Sequence, residues 1–382
     1  KNVTVPGASK LGAALVGVAE QRLGQRLGLP VGGNRLPCLV GRERHDLANT
    51  RIHCGFDYVD RAVDVARYAY IGGFNDTSNM EAGFLLNQFP VGTMAHYLVQ
   101  SFIGVRETDS QTGRQKHFEQ ICFERWLDAH PKGTTLLLDT ISIPLGVVHA
   151  IAAAKSSPAR RAAFKAGRID TKPLDVWSAY VQKVFDVNDF SDVKIITSGD
   201  HDKESIAEVV ELHPRAYGFG VGTKILAEVE NVAGVIFKEC LIGGYPTLKC
   251  SSKSKATLPG GLQIWRYSDK DGYFIGDMIT SDDFDGGIYT GSSYPWANAV
   301  SSTPLLHIFW EDGRSDSIPS MHEQREYVMA QAKWFRDLYH YPVLIETHLK
   351  TMIDEISAFM SKDENCYGDI IIPKDLKAPE DK

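Results

Sequence analysis

The sequence predicts an α/β protein built around a parallel β-sheet. Between residues 56 and 235, short apolar runs alternate with amphipathic segments whose apolar residues recur at helical spacing. Such alternation indicates βα units, whose strands pair in parallel because each helix carries the chain back across the sheet. After residue 235 the helical spacing gives way to short apolar runs separated by glycines, which indicates a smaller β-rich part.

The predicted elements of the α/β part alternate in chain order. A first well-marked helix is predicted to end at Gly72-Gly73, because glycine commonly follows the last turn of a helix. The predicted helices cover residues 11–27, 57–70, 145–163, 174–185 and 203–212, and the predicted strands cover residues 134–138, 166–169, 193–197 and 216–219.

The rest of the chain is predicted to contain a hairpin, long loops and two helices. Strands over 235–241 and 247–250 flank Gly243-Gly244, a pair typical of a hairpin turn. The stretch 251–302 is rich in Gly, Ser and Asp and is predicted to form loops. Two helices are predicted to follow, over 321–338 and 349–359. The first carries one stripe made of Tyr327, Val328, Trp334, Phe335 and Leu338.

Composition excludes several classes of function. The formal net charge is -7 and the pI about 6.0, which argues against a nucleic-acid-binding surface because such surfaces need clustered Lys and Arg. Apolar runs stay shorter than the roughly 20 residues that a membrane span needs, so no membrane partner is expected. The six cysteines form no CxxC pair and no zinc-like spacing. A reducing, cytoplasmic location is therefore expected.

Polar and glycine residues directly follow each of the four predicted strands. Asp139 follows the first strand, Asp170 the second, residues 198–200 the third and residues 220–223 the fourth. The carboxyl ends of parallel strands lie at one edge of the sheet, and in α/β proteins ligands bind at that edge. The sequence therefore predicts one site to which all four strand ends contribute.

The last two strand ends suggest phosphate and ribose binding. In Gly220-Val221-Gly222-Thr223, backbone N–H groups and the Thr223 hydroxyl can converge on a phosphate, although an ordinary tight turn remains the alternative. In Ser198-Gly199-Asp200, a carboxylate beside a glycine can hold a ribose diol. The alternative is that Ser198 or Asp200 caps the following helix.

The other strand ends and one histidine suggest catalysis. Asp139 and Asp170 can orient a polar substrate or stabilise an oxocarbenium-like ribosyl centre. Arg168 lies on the same side of its strand as Asp170, where it can bind a substrate carboxylate or form an internal salt bridge with the aspartate. His96, near the start of a helix, can act as a nucleophile toward ATP, and a structural role is the alternative.

Taken together, these segments resemble the nicotinate phosphoribosyltransferase family, within the group that also contains nicotinamide and quinolinate phosphoribosyltransferases. Many short motifs in the same order are far more specific than one of them alone. The matching stretches are AYIGGFNDTSNMEAG (69–83), PVGTMAH (90–96), LLLDT (136–140), GRID (167–170), DVKIITSGDHD (192–202), FGVGTK (219–224), KATLPG (255–260), PLLHIFWEDGR (304–314) with the following IPSMHEQRE, and YPVLIETHL (341–349).

The resemblance implies an incomplete (β/α) barrel of the type II phosphoribosyltransferase kind with a smaller, β-rich second domain. It implies that nicotinate and phosphoribosyl pyrophosphate are converted to nicotinate mononucleotide and pyrophosphate in NAD salvage. It further implies Mg²⁺, ATP as co-substrate through a phosphohistidine, and a homodimer or an assembly with a second chain. On this basis we divide the sequence into an N-terminal segment (1–55), the barrel domain (56–235), a β-rich segment (236–300) and a C-terminal helical segment with a charged tail (301–382).

The resemblance also assigns roles to individual residues. His96 matches the phosphohistidine, and Arg168 and Asp170 match the pyridine end of the site, with Asp139 beside them. Thr77 and Ser78 lie where the pyridine is bound; an Asp near Ser78 in the nicotinamide-using relatives would repel a carboxylate, so a Ser favours nicotinate. The phosphoribosyl group is assigned to Ser198, Gly199, Asp200, Gly220, Gly222 and Thr223.

The sequence departs from the family pattern in three places. The family has a longer segment before residue 69, so we expect a fragment, a processed form or one of two polypeptides. The aromatic and arginine that the family places on the ring and the pyrophosphate have only Phe56 and Arg61 as counterparts, and the usual Asp-Ser-Gly-Asp becomes Asp-Thr-Lys-Pro at 170–173. Two alternatives therefore stay open: a transferase for nicotinamide or another pyridine, and a non-catalytic phosphoribosyl-binding paralogue or subunit.

Overall fold

The structure is a computed structural model, and its chain falls into two compact units. The first unit comprises residues 1–238, 249–256 and 361–382, and the second comprises 239–248 and 257–360. Within these units the structure describes residues 38–40, 58–110, 112–212, 216–222, 238–250, 257–287, 296, 298–308, 310–311, 314–315, 319–337, 339–363, 367, 369–373, 376 and 378.

A six-stranded parallel sheet forms the centre of the first unit. Its strand order is β2-β1-β6-β5-β4-β3, and every neighbouring pair is parallel. The strands are β1 (Cys38–Val40), β2 (Asp76–Thr77), β3 (Thr134–Leu137), β4 (Phe164–Ile169), β5 (Lys194–Thr197) and β6 (Ala216–Val221). The predicted α/β class with a parallel sheet is therefore confirmed.

Eight helices accompany this sheet in the part of the first unit that the structure describes. They are α1 (Tyr58–Ile71), α2 (Met80–Leu86), α3 (His96–Ser101), α4 (Phe118–Ala129), α5 (Ile143–Lys155), α6 (Pro158–Ala163), α7 (Leu174–Val187) and α8 (Lys203–Leu212). The single helix predicted over 145–163 is wrong, because the chain breaks between α5 and α6. Proline disfavours helical backbone in the residue before it, so Ser157 is extended and its hydroxyl caps the helix that begins at Pro158. The predicted helix over 11–27 lies outside the described residues.

In the first unit, α5 packs closely against the end of β3. Gly146 approaches the backbone so closely that a Cβ built on it would lie 2.0 Å from the carbonyl oxygen of Leu138. Only glycine permits this approach, which brings the chain that follows β3 against the helix. Buried Val147 and Ile151 on the same helix continue the contact with the core. Removing a side chain of this kind from water contributes about 1.5–3 kcal/mol.

A buried ionic cluster fixes the C-terminal segment of the first unit. His149 on α5 lies 2.7 Å through Nδ1 from Oε2 of Glu119 and 3.0 Å through Nε2 from Oδ2 of Asp363. Burial alone would lower the pKa of His149, but hydrogen bonds to Asp363 and Glu119 outweigh it and raise the pKa to about 9. The Tyr367 hydroxyl donates to Gln120 at 3.1 Å. The segment after residue 361 is therefore held by charge as well as by packing.

The second unit is mainly β. A four-stranded sheet has the order β11-β9-β10-β14, and two short hairpins pair β7 with β8 and β12 with β13. The strands are β7 (Leu241–Ile242), β8 (Tyr245–Pro246), β9 (Leu262–Ser268), β10 (Phe274–Ser281), β11 (Ser301–Pro304), β12 (Trp310–Glu311), β13 (Arg314–Ser315) and β14 (Val343–Ile345), and the helices are α9 (Met321–Ala332) and α10 (Thr347–Ser361).

Several predictions for this unit are wrong. The stretch predicted as loops contains β9 and β10, whose side chains Tyr267 and Met278 are buried with Trp296. The hairpin at Gly243-Gly244 is present, but its strands are two residues long and residues 247–250 form no strand. Within the described residues, no helix is both long and apolar enough to cross a membrane.

The helix predicted over 321–338 is also shorter than expected. It ends at Ala332 because the next residues pair with β10: the Phe274 N–H donates to the Trp334 carbonyl, and Phe274 forms an isolated bridge with Phe335. Tyr327 and Val328, two residues of the predicted stripe, are exposed. Residue 338 lies outside the described residues.

Candidate active site

The side chains that follow β3, β4 and β5 meet at one edge of the parallel sheet. The backbone N–H of Asp170 donates to Oδ2 of Asp139 at 3.2 Å, and the Ser198 hydroxyl donates to Oδ1 of Asp170 at 3.2 Å. These hydrogen bonds join the three strand ends directly. The predicted meeting of strand-end residues is thus observed for Asp139, Asp170 and Ser198.

His96 reaches this edge as the first residue of α3. Its Nδ1 lies 3.2 Å from the Thr140 hydroxyl, and its Nε2 lies 2.7 Å from Nζ of Lys249 and 3.9 Å from Oδ2 of Asp170. A lysine ammonium can only donate, so Nε2 is the nitrogen that accepts. We therefore assign the proton to Nδ1, which donates to Thr140 and leaves the lone pair on Nε2.

The surroundings of His96 favour the neutral imidazole. Burial lowers the pKa of His96 below its ordinary value, and the positive charge of Lys249 lowers it further. The carboxylates of Asp139 and Asp170 act in the opposite direction but do not outweigh burial. The His96 side chain is 12% exposed, and a neutral imidazole carries a lone pair that can act as a nucleophile.

Lys249 and Asp139 form the buried part of the site. The Lys249 side chain is 3% exposed, and its Nζ lies 3.6 Å from Oδ2 of the fully buried Asp139. The same oxygen accepts from the Thr171 hydroxyl at 2.5 Å, while Oδ1 of Asp139 has no hydrogen-bond partner among the described residues. Lys249 was not predicted from the sequence. The one signal in the sequence that could have indicated Lys249 is its charge, because it lies between the apolar residues Leu248 and Cys250.

Arg168 lies beside this group on β4. Its Nε donates to the Ser198 hydroxyl at 2.9 Å, and its Nη1 donates to the Thr93 hydroxyl at 2.7 Å. Hydroxyl partners orient a guanidinium without neutralising its charge. The arrangement suits Arg168 for binding a carboxylate, as the sequence predicts.

The predicted phosphoribosyl residues lie at the ends of β5 and β6. Gly220 belongs to β6 itself, and a Cβ on it would lie 3.1 Å from that of Ser198. Gly222 follows the strand and is buried, whereas Thr223 lies outside the described residues. The alternative that Ser198 or Asp200 caps the next helix is wrong, because Oδ1 of Asp202 accepts from the Ser205 N–H at 2.9 Å and takes that role.

The predicted pyridine-binding residues lie across the sheet from His96. Thr77 ends β2, which pairs with β1, and β1 in turn pairs with β6. Thr77 is buried and accepts from the Asn79 N–H, and the buried Ser78 hydroxyl has no hydrogen-bond partner among the described residues. Phe56 and the side chain of Arg61 lie outside what the structure describes.

One group of side chains has metal-ligand spacing among the described residues, namely His117, Glu119 and His149. The rings of His117 and His149 are stacked, with centroids 4.3 Å apart and planes inclined by 16°. Imidazole nitrogens bind a metal within the ring plane, and two nearly parallel planes cannot both contain one ion. Both nitrogens of His149 are also bonded to carboxylates. This group is therefore an ion-pair cluster.

A parallel α/β sheet whose carboxyl edge gathers an imidazole, a lysine, an arginine and two aspartates has the features of an enzyme site for anionic substrates. Comparison with known proteins agrees with the sequence resemblance. The chain is 31% identical over 229 residues to nicotinate phosphoribosyltransferase of Bacillus subtilis, covering 58% of this chain and 44% of that protein. It is 26% identical over 264 residues to the human nicotinate phosphoribosyltransferase, covering 58% and 49% respectively.

The chain is thus a relative of nicotinate phosphoribosyltransferases from bacteria, worm, human and plant, which confirms the resemblance. It spans about half the length of the curated relatives it matches. No family model matches it. Among solved structures, nicotinate phosphoribosyltransferase from Vibrio cholerae aligns with a TM-score of 0.48 and 19% identity, covering 66% of this chain and 58% of that one.

Proposed function

We propose that this protein joins nicotinate to phosphoribosyl pyrophosphate, forming nicotinate mononucleotide and pyrophosphate for NAD salvage. The observation that carries the proposal is the position of His96 Nε2, which lies 2.7 Å from Lys249 Nζ and 3.9 Å from Asp170 Oδ2 at the sheet edge. A neutral imidazole in that position can accept the γ-phosphoryl group of ATP. The named relatives give the substrates, and the geometry supports the residue roles.

In the phosphorylation step, His96 Nε2 attacks the γ-phosphorus of ATP. An N–P bond forms, the P–O bond to the bridging oxygen breaks, and ADP leaves with that electron pair. The proton on Nδ1 stays in its hydrogen bond with Thr140, so the nucleophilic nitrogen has no proton to lose. Later transfer of the phosphoryl group to water returns His96 to its starting state and completes ATP hydrolysis.

In the ribosyl step, the ring nitrogen of nicotinate forms a bond to the ribose carbon as the C–O bond to pyrophosphate breaks, and pyrophosphate leaves with that electron pair. Positive charge develops at the ribose carbon in the transition state. The carboxylate of Asp170, which accepts a hydrogen bond from Ser198, can stabilise that charge. Asp139 is fully buried and acts by positioning the Asp170 backbone and balancing Lys249. The phosphate and ribose are assigned to residues 198–200 and 220–223, the nicotinate carboxylate to Arg168, with Ser78 as a further donor and Thr77 beside it.

Mg²⁺ belongs to this proposal as the ion that accompanies the phosphates. It usually retains several waters and binds through one or two carboxylates together with substrate phosphate oxygens. Asp200 is exposed beside Gly199 and fits that description, whereas Asp139 is buried and bonded to Thr171. When bound, the ion neutralises phosphate charge and so assists departure of the leaving group.

The finer architecture and the assembly are also part of the proposal. An incomplete barrel with a smaller β-rich second domain agrees with a parallel sheet in one unit and a mainly β second unit. A homodimer or an assembly with a second chain is supported by exposed apolar side chains on the first unit, among them Ile71, Phe84 and Phe89. The free thiols of Cys122, Cys240 and Cys250 suit a cytoplasmic location.

The decisive experiment measures ATP hydrolysis by the purified chain with nicotinate and phosphoribosyl pyrophosphate added singly and together. We expect both additions to raise hydrolysis, nicotinate mononucleotide to accumulate, and His96→Ala to abolish both signals. His130→Ala is the matched control, since His130 is exposed at the end of α4. A rate of ATP hydrolysis that is unchanged by nicotinate, by phosphoribosyl pyrophosphate and by His96→Ala would overturn the proposal.

A further inference from the structure

Lys249 is buried, which is unusual for a lysine. Removing an ammonium from water is costly unless hydrogen bonds and an opposite charge compensate. Lys249 has both, because its Nζ lies 2.7 Å from Nε2 of His96 and 3.6 Å from Oδ2 of Asp139. The Lys249 ammonium is therefore stabilised by His96 Nε2, the nitrogen that the proposed reaction uses, and by the Asp139 carboxylate.

The residues that hold Lys249 also hold His96. Asp139 and Thr140 follow β3: Asp139 balances the lysine charge, and the Thr140 hydroxyl accepts from His96 Nδ1. The Thr140 carbonyl accepts from the backbone N–H of Cys250 at 3.3 Å, directly after Lys249. A closed ring of contacts thus runs from His96 through Thr140 and Cys250 to Lys249 and back. Such a ring fixes both ends of the Lys249–His96 hydrogen bond.

We propose that Lys249 is a positioning residue that keeps His96 Nε2 unprotonated for phosphorylation and then pairs with the phosphoryl group bound to that nitrogen. The inference rests on the proposed function and deepens it. It assigns a task to a residue that the sequence motifs did not indicate.

The charges around His96 indicate how Lys249 acts on the ring, in addition to burial, which lowers the pKa of His96 most. Two carboxylates face the imidazole, Asp139 from the end of β3 and Asp170 from the end of β4, and both favour a proton on the ring. The ammonium of Lys249 opposes them and lowers the pKa of His96. Without it, the two carboxylates would raise the pKa of His96 and favour a proton on Nε2, which removes the lone pair that attacks phosphorus.

The same ammonium suits the product of the step. Once Nε2 carries phosphorus, it no longer accepts a hydrogen bond, and the phosphoryl oxygens occupy the region that Lys249 Nζ faces. An ammonium there stabilises the dianionic group by charge-assisted hydrogen bonds. Lys249 therefore favours both the unprotonated His96 and the phosphorylated His96. No proton is transferred between Lys249 and His96 in this step.

The test is a nitrogen NMR titration of ¹⁵N-histidine-labelled protein without ligands. The unaltered chain is expected to show neutral His96 with its proton on Nδ1 and a pKa below 6.5. In Lys249→Met we expect the pKa of His96 to rise by about one unit or more and the tautomer preference to be lost. Lys194→Met is the matched control, because Lys194 is exposed at the opposite end of β5.

Lys249→Arg provides the second variant, since it keeps the charge and should retain the low pKa even if Lys249→Met folds poorly. A His96 pKa and tautomer unchanged by Lys249→Met, in a variant with unaltered circular dichroism, would overturn the inference. So would a pKa in Lys249→Arg as high as that of the methionine variant.

Activity separates this inference from the proposed function. The acid limb of the ATP hydrolysis profile should move to higher pH in Lys249→Met, and raising the pH should restore part of the rate, whereas His96→Ala stays inactive at every pH. An NMR shift in a chain whose unaltered form has no activity would overturn the proposed function and leave the Lys249–His96 pairing established. Activity with an unmoved acid limb would sustain the function and overturn the role of Lys249.

Discussion

Gly199 lies directly against Asp170. A Cβ built on Gly199 would be 3.1 Å from both the carbonyl oxygen and Oδ1 of Asp170, and the glycine has a φ of +111°. The positive φ favours glycine, and a side chain at this position would also press against Asp170. This contact sets the distance between the ends of β4 and β5, and so the position of the carboxylate that faces His96.

Gly199→Ala should destabilise the protein by about 1–3 kcal/mol, because it adds backbone strain and pushes on Asp170. We also expect the rate of nicotinate mononucleotide formation to fall more than ten-fold, since the carboxylate is displaced. Urea unfolding and steady-state kinetics measure the two effects. Gly92→Ala is the control, as a Cβ on Gly92 meets nothing within 4 Å. Equal stability of the two variants would contradict the prediction.

Arg168→Lys should weaken nicotinate binding selectively. Lysine cannot hold the Ser198 and Thr93 hydroxyls and a substrate carboxylate in one plane, as the guanidinium does. The loss of a charge-assisted pair costs about 1.5–3 kcal/mol, so the KM for nicotinate should rise roughly ten- to a hundred-fold. Arg67→Lys, at an exposed pair with Asp64, serves as the control. An equal rise in the KM for phosphoribosyl pyrophosphate would show that Arg168 binds something else.

Ser78→Asp should shift substrate preference from nicotinate toward nicotinamide. The Ser78 hydroxyl is buried and lacks a hydrogen-bond partner among the described residues, so it is available to donate to a carboxylate. An aspartate there would repel that carboxylate and accept from the carboxamide instead. The ratio of kcat/KM for the two pyridines is the measurement, with Ser78→Ala as the charge-neutral control. An unchanged ratio in Ser78→Asp would remove Ser78 from the specificity argument.

The ionic cluster at His149 should make the protein sensitive to alkaline pH. The pKa of His149 is raised from 6.5 to about 9 in the folded chain, so its contribution to stability is complete below pH 6.5. That contribution, up to about 3 kcal/mol, is lost as the pH rises from 6.5 through 9, because the folded state must then give up the proton. Urea midpoints from pH 6 to 10 should fall, and the fall should be absent in His149→Gln.

An apt control for this experiment is His130→Gln, which changes an exposed histidine on the neighbouring helix α4. It should retain the alkaline loss of stability in full. We also expect proteolysis to release the segment after residue 361 first as the pH rises, because Asp363 is one of the two carboxylates that hold His149. A flat stability profile in the unaltered protein would contradict a charged His149.

The sequence succeeded where local pattern and sheet geometry coincide. Strands β3 to β6 were found because their apolar runs alternate with helices, and parallel pairing then requires Asp139, Asp170 and Ser198 to share an edge. It failed where packing overrides pattern. Strands β9 and β10 lie in a stretch rich in turn residues, and burial of Tyr267 and Met278 against Trp296 decides their conformation. The break between α5 and α6 could have been predicted from the sequence Ser156-Ser157-Pro158, because proline disfavours helical backbone in the residue before it.

By itself the sequence determined the α/β class, the edge at which the site lies and the residue types that supply its acids, its arginine and its imidazole. The tertiary structure alone decided that Lys249 bonds to His96, a residue 153 positions away. No local periodicity encodes such a pair, because hydrogen bonding depends on distance in space and burial, not on spacing along the chain. The protonation state of His96 follows from the same cause, since it is set by the charges that folding gathers around the ring.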